Sequence, residues 1–149
     1  HHGGLTLAAG GIEIRPVGPG DSALFNRVAP DVFDGVPAAA RLAAYLASPG
    51  HIMVVAVRDG EVVGQVAAVI HRHPDMPDEL YIDNLGVTPA LHRRGIGRRL
   101  VEAVMEIGRE QGCTEAWVAT EAGNGAARGL YRRLGPKEEA GVAFYLYDL

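Results

Sequence analysis

The 149-residue chain has a single cysteine, Cys113, which excludes an intrachain disulfide. A lone thiol suits a reducing compartment, and a cytoplasmic location is expected. Cys113 lies between an expected helix end at Gly112 and a strand, so it reads as an inert thiol rather than a nucleophile. Long apolar runs are also missing. The longest, Val62 to Ile70, is interrupted by Gly64 and Gln65. It falls well short of the ~20 residues of a membrane span, so no membrane partner is expected. Nor is there an excess of positive charge. The formal net charge is −4, whereas nucleic-acid binding asks for a broad basic surface, so no nucleic-acid partner is expected. Repeats, low-complexity tracts and composition breaks are absent, and residues 5–149 are expected to form one domain. His1, His2, Gly3 and Gly4 read as a tag remnant and are set aside.

What is present is a regular alternation of strand and helix signals. Ile12, Ile14 and Val17 alternate with Glu13 and Arg15 as in a half-buried strand. Asp21 or Ser22 is placed to cap a helix reaching Val28. Asp31, Phe33 and Asp34 lie in a linker ending at Gly35, and a helix is expected from Pro37 to Ser48. His51 to Val57 and Glu61 to Ile70 read as a hairpin around Asp59-Gly60. A strand from Leu80 to Val87 leads to a helix from Ile96 to about Gln111, whose apolar stripe is Ile96, Leu100, Val101, Val104, Met105 and Ile107. Thr114 to Thr120 reads as a strand, Gly125 to Leu134 as a helix, and Val142 to Leu149 as a β-prone aromatic end. The strand–helix–strand unit from Glu79 to Thr120 should be parallel with a right-handed crossover.

The densest chemistry lies between Glu79 and Leu100. Pro89 ends the strand, because proline cannot continue a ladder. The loop then carries His92, Arg93, Arg94, Gly95, Ile96, Gly97 and Arg98 into the helix. Glycines there let backbone N–H groups approach an anion without a Cβ in the way, and the helix N-terminus adds roughly half a positive charge. Arg93, Arg94, Arg98 and Arg99 surround the turn. The pattern points to a pyrophosphate or similar polyanion. It is neither GxxxxGK[ST] nor GxGxxG, which sets aside a Walker A loop and a Rossmann dinucleotide turn.

This loop, after a strand ending Leu85-Gly86-Val87, resembles the R/Q-x-x-G-x-G/A signature of the GNAT superfamily of acyl-CoA N-acetyltransferases. His92 stands where that family has Arg or Gln. A second stretch, Asn124 to Gly135, resembles the family's N-x-x-A-x-x-L-Y-x-x-x-G-F through Asn124, Ala127, Leu130, Tyr131 and Gly135, with Pro136 in place of Phe. The resemblance implies a GNAT α/β fold. Its mixed, mostly antiparallel sheet has a central parallel strand pair and flanking helices. It implies acetyl-CoA as cofactor, held by residues 92–98 and by Asn124. Leu85, Gly86 and Val87 would pair with the pantetheine arm. The Leu85 N–H would polarise the thioester, and Tyr131 would protonate the departing thiolate.

The general base is open among Glu121, Asp83 and Glu79, with Glu121 favoured, acting directly or through a water. Strict alternation sets Asp83 and Leu85 on one face, unless a bulge intervenes. Asp31, Asp34, Asp75, Asp78, Glu79, Asp83 and Glu121 lie in segments suited to the rim of an acceptor cleft, attractive to a polycationic amine. Asp34, Glu79, Asp83, Asn84 and Glu121 are the expected substrate contacts. The two motifs together look like the gentamicin/fortimicin class of aminoglycoside 3-N-acetyltransferases. Alternatives are a peptide α-amine or lysine acetyltransferase and a non-catalytic acyl-CoA sensor. His71 and His73 form an H-x-H pair near Asp75, but with no third ligand at zinc spacing they read as a polar loop, and no metal is expected. A homodimer through the C-terminus is compatible with the sequence, which does not specify it.

Overall fold

A computed structural model describes residues 11–149; the segment read as a tag remnant lies outside the described residues. The chain divides into two compact units, one ending at Ala119 and one spanning Thr120–Leu149.

The first unit is built on a five-stranded sheet of order β1-β2-β3-β4-β5. Its strands are β1 (Glu13–Val17), β2 (His51–Arg58), β3 (Glu61–His71), β4 (Glu79–Val87) and β5 (Glu115–Val118). β1 to β4 are successively antiparallel, and β5 pairs parallel to β4. Asp59 and Gly60, with φ of 50° and 77°, turn β2 into β3. Positive φ at both positions is what a type I′ hairpin turn requires. Among the described residues, no helix is long and apolar enough to cross a membrane.

α1 (Ala39–Ala47) and α2 (Ile96–Glu110) complete the unit, with short 3₁₀ turns at Ser22–Asn26 and Pro89–Leu91. The expected helix up to Val28 is only the first of these turns. Asp21 faces backward, accepting from Gly18 N at 2.8 Å and pairing with Arg15 at 3.0 Å, so it offers the helix no side-chain cap. Val28 instead forms an isolated bridge with Val62.

α2 lies on one face of the sheet. Its buried stripe is Ile96, Leu100, Val101 and Val104. A Cβ on Gly108 would come 2.9 Å from Leu80 Cδ2, and one on Gly64 would come 3.2 Å from Leu100 Cδ1. These glycines allow the helix and the strands to approach closely. Side chains alternate across a strand, so Gln65 faces away from α2. There it donates from Nε2 to the Val32 carbonyl at 3.1 Å. β2 and β3 are thus covered on both sides, which explains why Met53–Val57 and Val62–Ala68 are buried without alternation.

The second unit holds α3 (Gly125–Arg133). Arg128 and Arg132 both pair with Glu138, at 3.1 and 2.6 Å, and hold its carboxyl down to about 2. The strand expected from Val142 to Leu149 does not form. Phe144, Tyr145, Leu146 and Tyr147 are exposed and carry no secondary structure. The parallel pair therefore falls at one edge of the observed sheet instead of its middle. β-propensity alone does not make a strand without neighbours to pack against.

Candidate active site

β4 is irregular where it matters. Ala68 pairs with Ile82 and Ala67 with Asn84, so Asp83 is an extra residue opposite no partner on β3. Such a bulge reverses the alternation that follows it. Leu85 pairs with Val66 and Gly86 with Gln65. Leu85 therefore shares the α2-facing side with Ile82, while Asn84 and Gly86 share the opposite side with Gln65. Strict alternation would have put Asp83 and Leu85 together; the bulge separates them.

The same strand loses its outer neighbour. β5 pairs with β4 only from Glu79 to Ile82. From Asp83 to Val87 no strand pairs with the outer edge of β4 among the described residues. An edge of this kind leaves N–H and C=O groups ready to pair with another extended chain.

Next to that open edge stands the N-terminus of α2. Gly95, the residue before its first turn, is left-handed at φ 76°, as is Arg93 at 64°. No side chain caps the helix, and its first turn contains no acidic residue. The free N–H groups of the first turn thus remain available to an anion. Instead of acids, Arg98 and Arg99 sit there, where the helix dipole disfavours cations. That arrangement makes sense if a polyanion occupies the turn. Arg99 also donates to the Ile12 carbonyl at 3.3 Å, and Arg98 lies 3.6 Å from Glu102. Arg93 and Arg94 are exposed and have no acidic partner among the described residues. Leu91 and Ile96, both 2% exposed, anchor the loop on either side. His92 reaches back: its Nε2 donates to the Val87 carbonyl at 2.8 Å, tying the loop to the end of β4.

The carboxylates are dispersed. Asp83 and Asn84 are exposed at the bulge, and Asn84 Oδ1 accepts from Gln65 Nε2 at 2.5 Å. Burial pushes the pKa of the Tyr45 phenol up to about 12, and the Asp83 carboxylate adds to the rise. Glu79 begins β4, roughly 13 Å of strand from Asp83, and its carboxylate accepts from His73 at 2.5 Å. The H-x-H pair therefore has a third partner after all. Asp34 is exposed beyond Val32. Glu121 is exposed in the second unit, past the end of β5, where its carbonyl accepts from Asn124 N at 3.0 Å. Asn124 caps α3, its Oδ1 accepting from Ala127 N at 3.1 Å. Tyr131, on α3, is partly buried, and burial pushes its phenol above the usual range.

Two participants escaped sequence reasoning. Tyr45 was only one position on an amphipathic helix. Gln65 left a signal: a polar side chain inside an apolar strand must find partners.

The family model described as "Acetyltransferase (GNAT) family" matches residues 23–135. The chain belongs to this GNAT family. Mouse N-acetyltransferase family 8 member 3 is 32% identical over 104 residues, covering 69% of this chain and 46% of that protein. Aminoglycoside N(6')-acetyltransferase type 1 of Salmonella typhimurium strain LT2 is 29% identical over 96 residues, covering 61% of this chain and 66% of that protein. This GNAT chain thus spans about half to two-thirds of the length of these curated relatives. Among solved structures, the aminoglycoside acetyltransferase meta-AAC0020 from an uncultured soil metagenomic sample, in complex with sisomicin, superposes with a TM-score of 0.78. It is 22% identical, with 93% of this chain and 96% of that one covered, a likeness of fold.

Proposed function

We propose that this GNAT chain is an acetyl-CoA-dependent N-acetyltransferase acting on a small polycationic amine of the aminoglycoside class. The observation that carries this reading is the uncapped, arginine-bordered N-terminus of α2 beside an open stretch of β4. One element supplies amides for a diphosphate and the other an edge for an extended amide-bearing arm.

In this reading the amides of Gly95 to Arg98 and the side chains of Arg93 and Arg94 hold the diphosphate. Leu85, Gly86 and Val87 pair with the pantetheine arm. Acetyl-CoA supplies the acetyl thioester. The acceptor nitrogen forms a bond to the acetyl carbon as the carbon–sulfur bond breaks. The amine proton leaves to a carboxylate or water, and the thiolate takes the proton of Tyr131. Burial keeps that phenol protonated at neutral pH, which suits a proton donor. Asp83 at the bulge and Glu121 are the candidate bases. Asp34, Glu79, Asp83, Asn84 and Glu121 are the proposed acceptor contacts.

The aminoglycoside acceptor is supported by the relatives that act on such compounds. The 6'-position acted on by the Salmonella relative favours a 6'-amine over the 3-amine suggested by the sequence resemblance. Thiol release from acetyl-CoA over aminoglycosides, polyamines and peptides tests this. Release with aminoglycosides and a product acetylated on one ring nitrogen is the expected result. Release only with peptides would make it a peptide or lysine acetyltransferase. Cofactor binding with no release from any amine would make it an acyl-CoA sensor.

A further inference from the structure

The β3–β4 connection assembles a second set of chemistry-bearing side chains, of which only Glu79 is among the proposed acceptor contacts. His71, the last residue of β3, is the register partner of Glu79, the first of β4. Direct cross-strand partners project to the same face of a sheet. The chain returns His73 to them: its ring lies 4.3 Å from that of His71, and its Nε2 lies 2.5 Å from Glu79 Oε1. One donor atom from each of the three side chains lies within 4.8 Å of the other two.

We propose that His71, His73 and Glu79 bind a divalent transition-metal ion of the zinc class. Four donors around zinc at about 2.0–2.1 Å sit roughly 3.4 Å from one another. Reaching that spacing takes side-chain rotation, with His73 Nε2 and Glu79 Oε1 moving apart from 2.5 Å; the strand pairing already aligns the backbones of His71 and Glu79. Two imidazoles and one carboxylate suit zinc and its neighbours and suit magnesium or calcium poorly. Three protein ligands leave a coordination position to water. His73 and Glu79 are largely shielded, at 16% and 23% side-chain exposure, while His71 is open to solvent and provides an entry path. The nearest guanidinium in sequence, Arg72, is neutralised by Asp78 at 2.6 Å and does not repel a cation. A bound ion would cross-link the ends of β3 and β4 around the loop carrying Pro74 and Pro77, and would withdraw Glu79 from any acceptor amine. Zinc binding here does not depend on the acetyltransferase reading.

Zinc titration by calorimetry into the chelator-treated full chain tests it. His1 and His2 stay in every variant, so zinc bound there is a shared background. One equivalent of zinc is expected to bind the unaltered chain, with Kd raised at least tenfold in His71→Ala/His73→Ala and in Glu79→Gln. Zinc should also raise Tm of the unaltered chain and not of the double variant. Identical isotherms for the unaltered chain and the double variant would overturn the proposal. A readout that needs no variant is the imidazole nitrogen spectrum. Zinc should move the His71 and His73 resonances and leave those of His51 and His92; unmoved His71 and His73 signals would overturn it equally.

Discussion

The His92 imidazole donates to the Val87 carbonyl across 2.8 Å, joining the arginine-rich turn before α2 to the last residue of β4. A side chain that differs from the family pattern thus fixes the loop against the strand edge that would carry the pantetheine arm. His92→Ala is expected to raise KM for acetyl-CoA several-fold with a smaller change in kcat. His92→Gln, which keeps an N–H donor, should restore part of the loss. Steady-state kinetics at varied acetyl-CoA check this; an unchanged KM in the alanine variant would contradict it.

Asp83 and Tyr45 share an electrostatic environment. Burial is the larger cause of the raised Tyr45 pKa, about 12, and the Asp83 carboxylate adds to it. A phenol that holds its proton more tightly when folded stabilises the fold fully below its ordinary pKa of about 10. That contribution fades as pH rises from about 10 to about 12. Phenolate absorbance should show Tyr45 titrating near 12. Asp83→Asn should bring it down, and Tyr45→Phe should remove it.

Two glycines are expected to respond oppositely to alanine. A Cβ on Gly86 would overlap the Val32 carbonyl, where the crossing segment lies on β4. Gly86→Ala should cost about 1–3 kcal/mol through overpacking. At Gly129, within α3, an added methyl would meet nothing within 4 Å. Gly129→Ala should stabilise that helix by up to about 1 kcal/mol. Chemical denaturation followed by circular dichroism distinguishes the two.

Tyr131→Phe should lower kcat by roughly 10²–10⁴-fold, the usual contribution of a positioned acid. KM for acetyl-CoA should change little. Glu121→Gln should lower turnover and move the acidic limb of the pH profile to higher pH if Glu121 is the base. An unmoved profile would transfer that role to Asp83, and Asp83→Asn should then show it.

Much of this was legible from residues alone. The turn at Asp59-Gly60, the break at Pro89 and the start of α2 at Ile96 follow from local backbone preferences, which act within a few residues. The glycine at the loop-to-helix turn, Gly95, was legible for the same reason. What escaped was non-local. The bulge at Asp83 arises only when β4 is paired with β3. Glu79 meets His73 only through the hairpin register. Gln65 finds Val32 and Asn84 across distant segments. Val142 to Leu149 shows the converse: its aromatic, β-prone composition produced no strand, because composition specifies no pairing partner.

The proposed chemistry depends above all on main-chain amides at the start of α2 gripping the diphosphate of coenzyme A. The amide nitrogen–proton spectrum, followed during titration with coenzyme A, reads those groups one by one. Saturable downfield shifts are predicted at Gly95, Ile96, Gly97 and Arg98, with smaller changes at Leu85 to Val87. Saturation of binding with those four amides unmoved, or no binding at all, would contradict the reading.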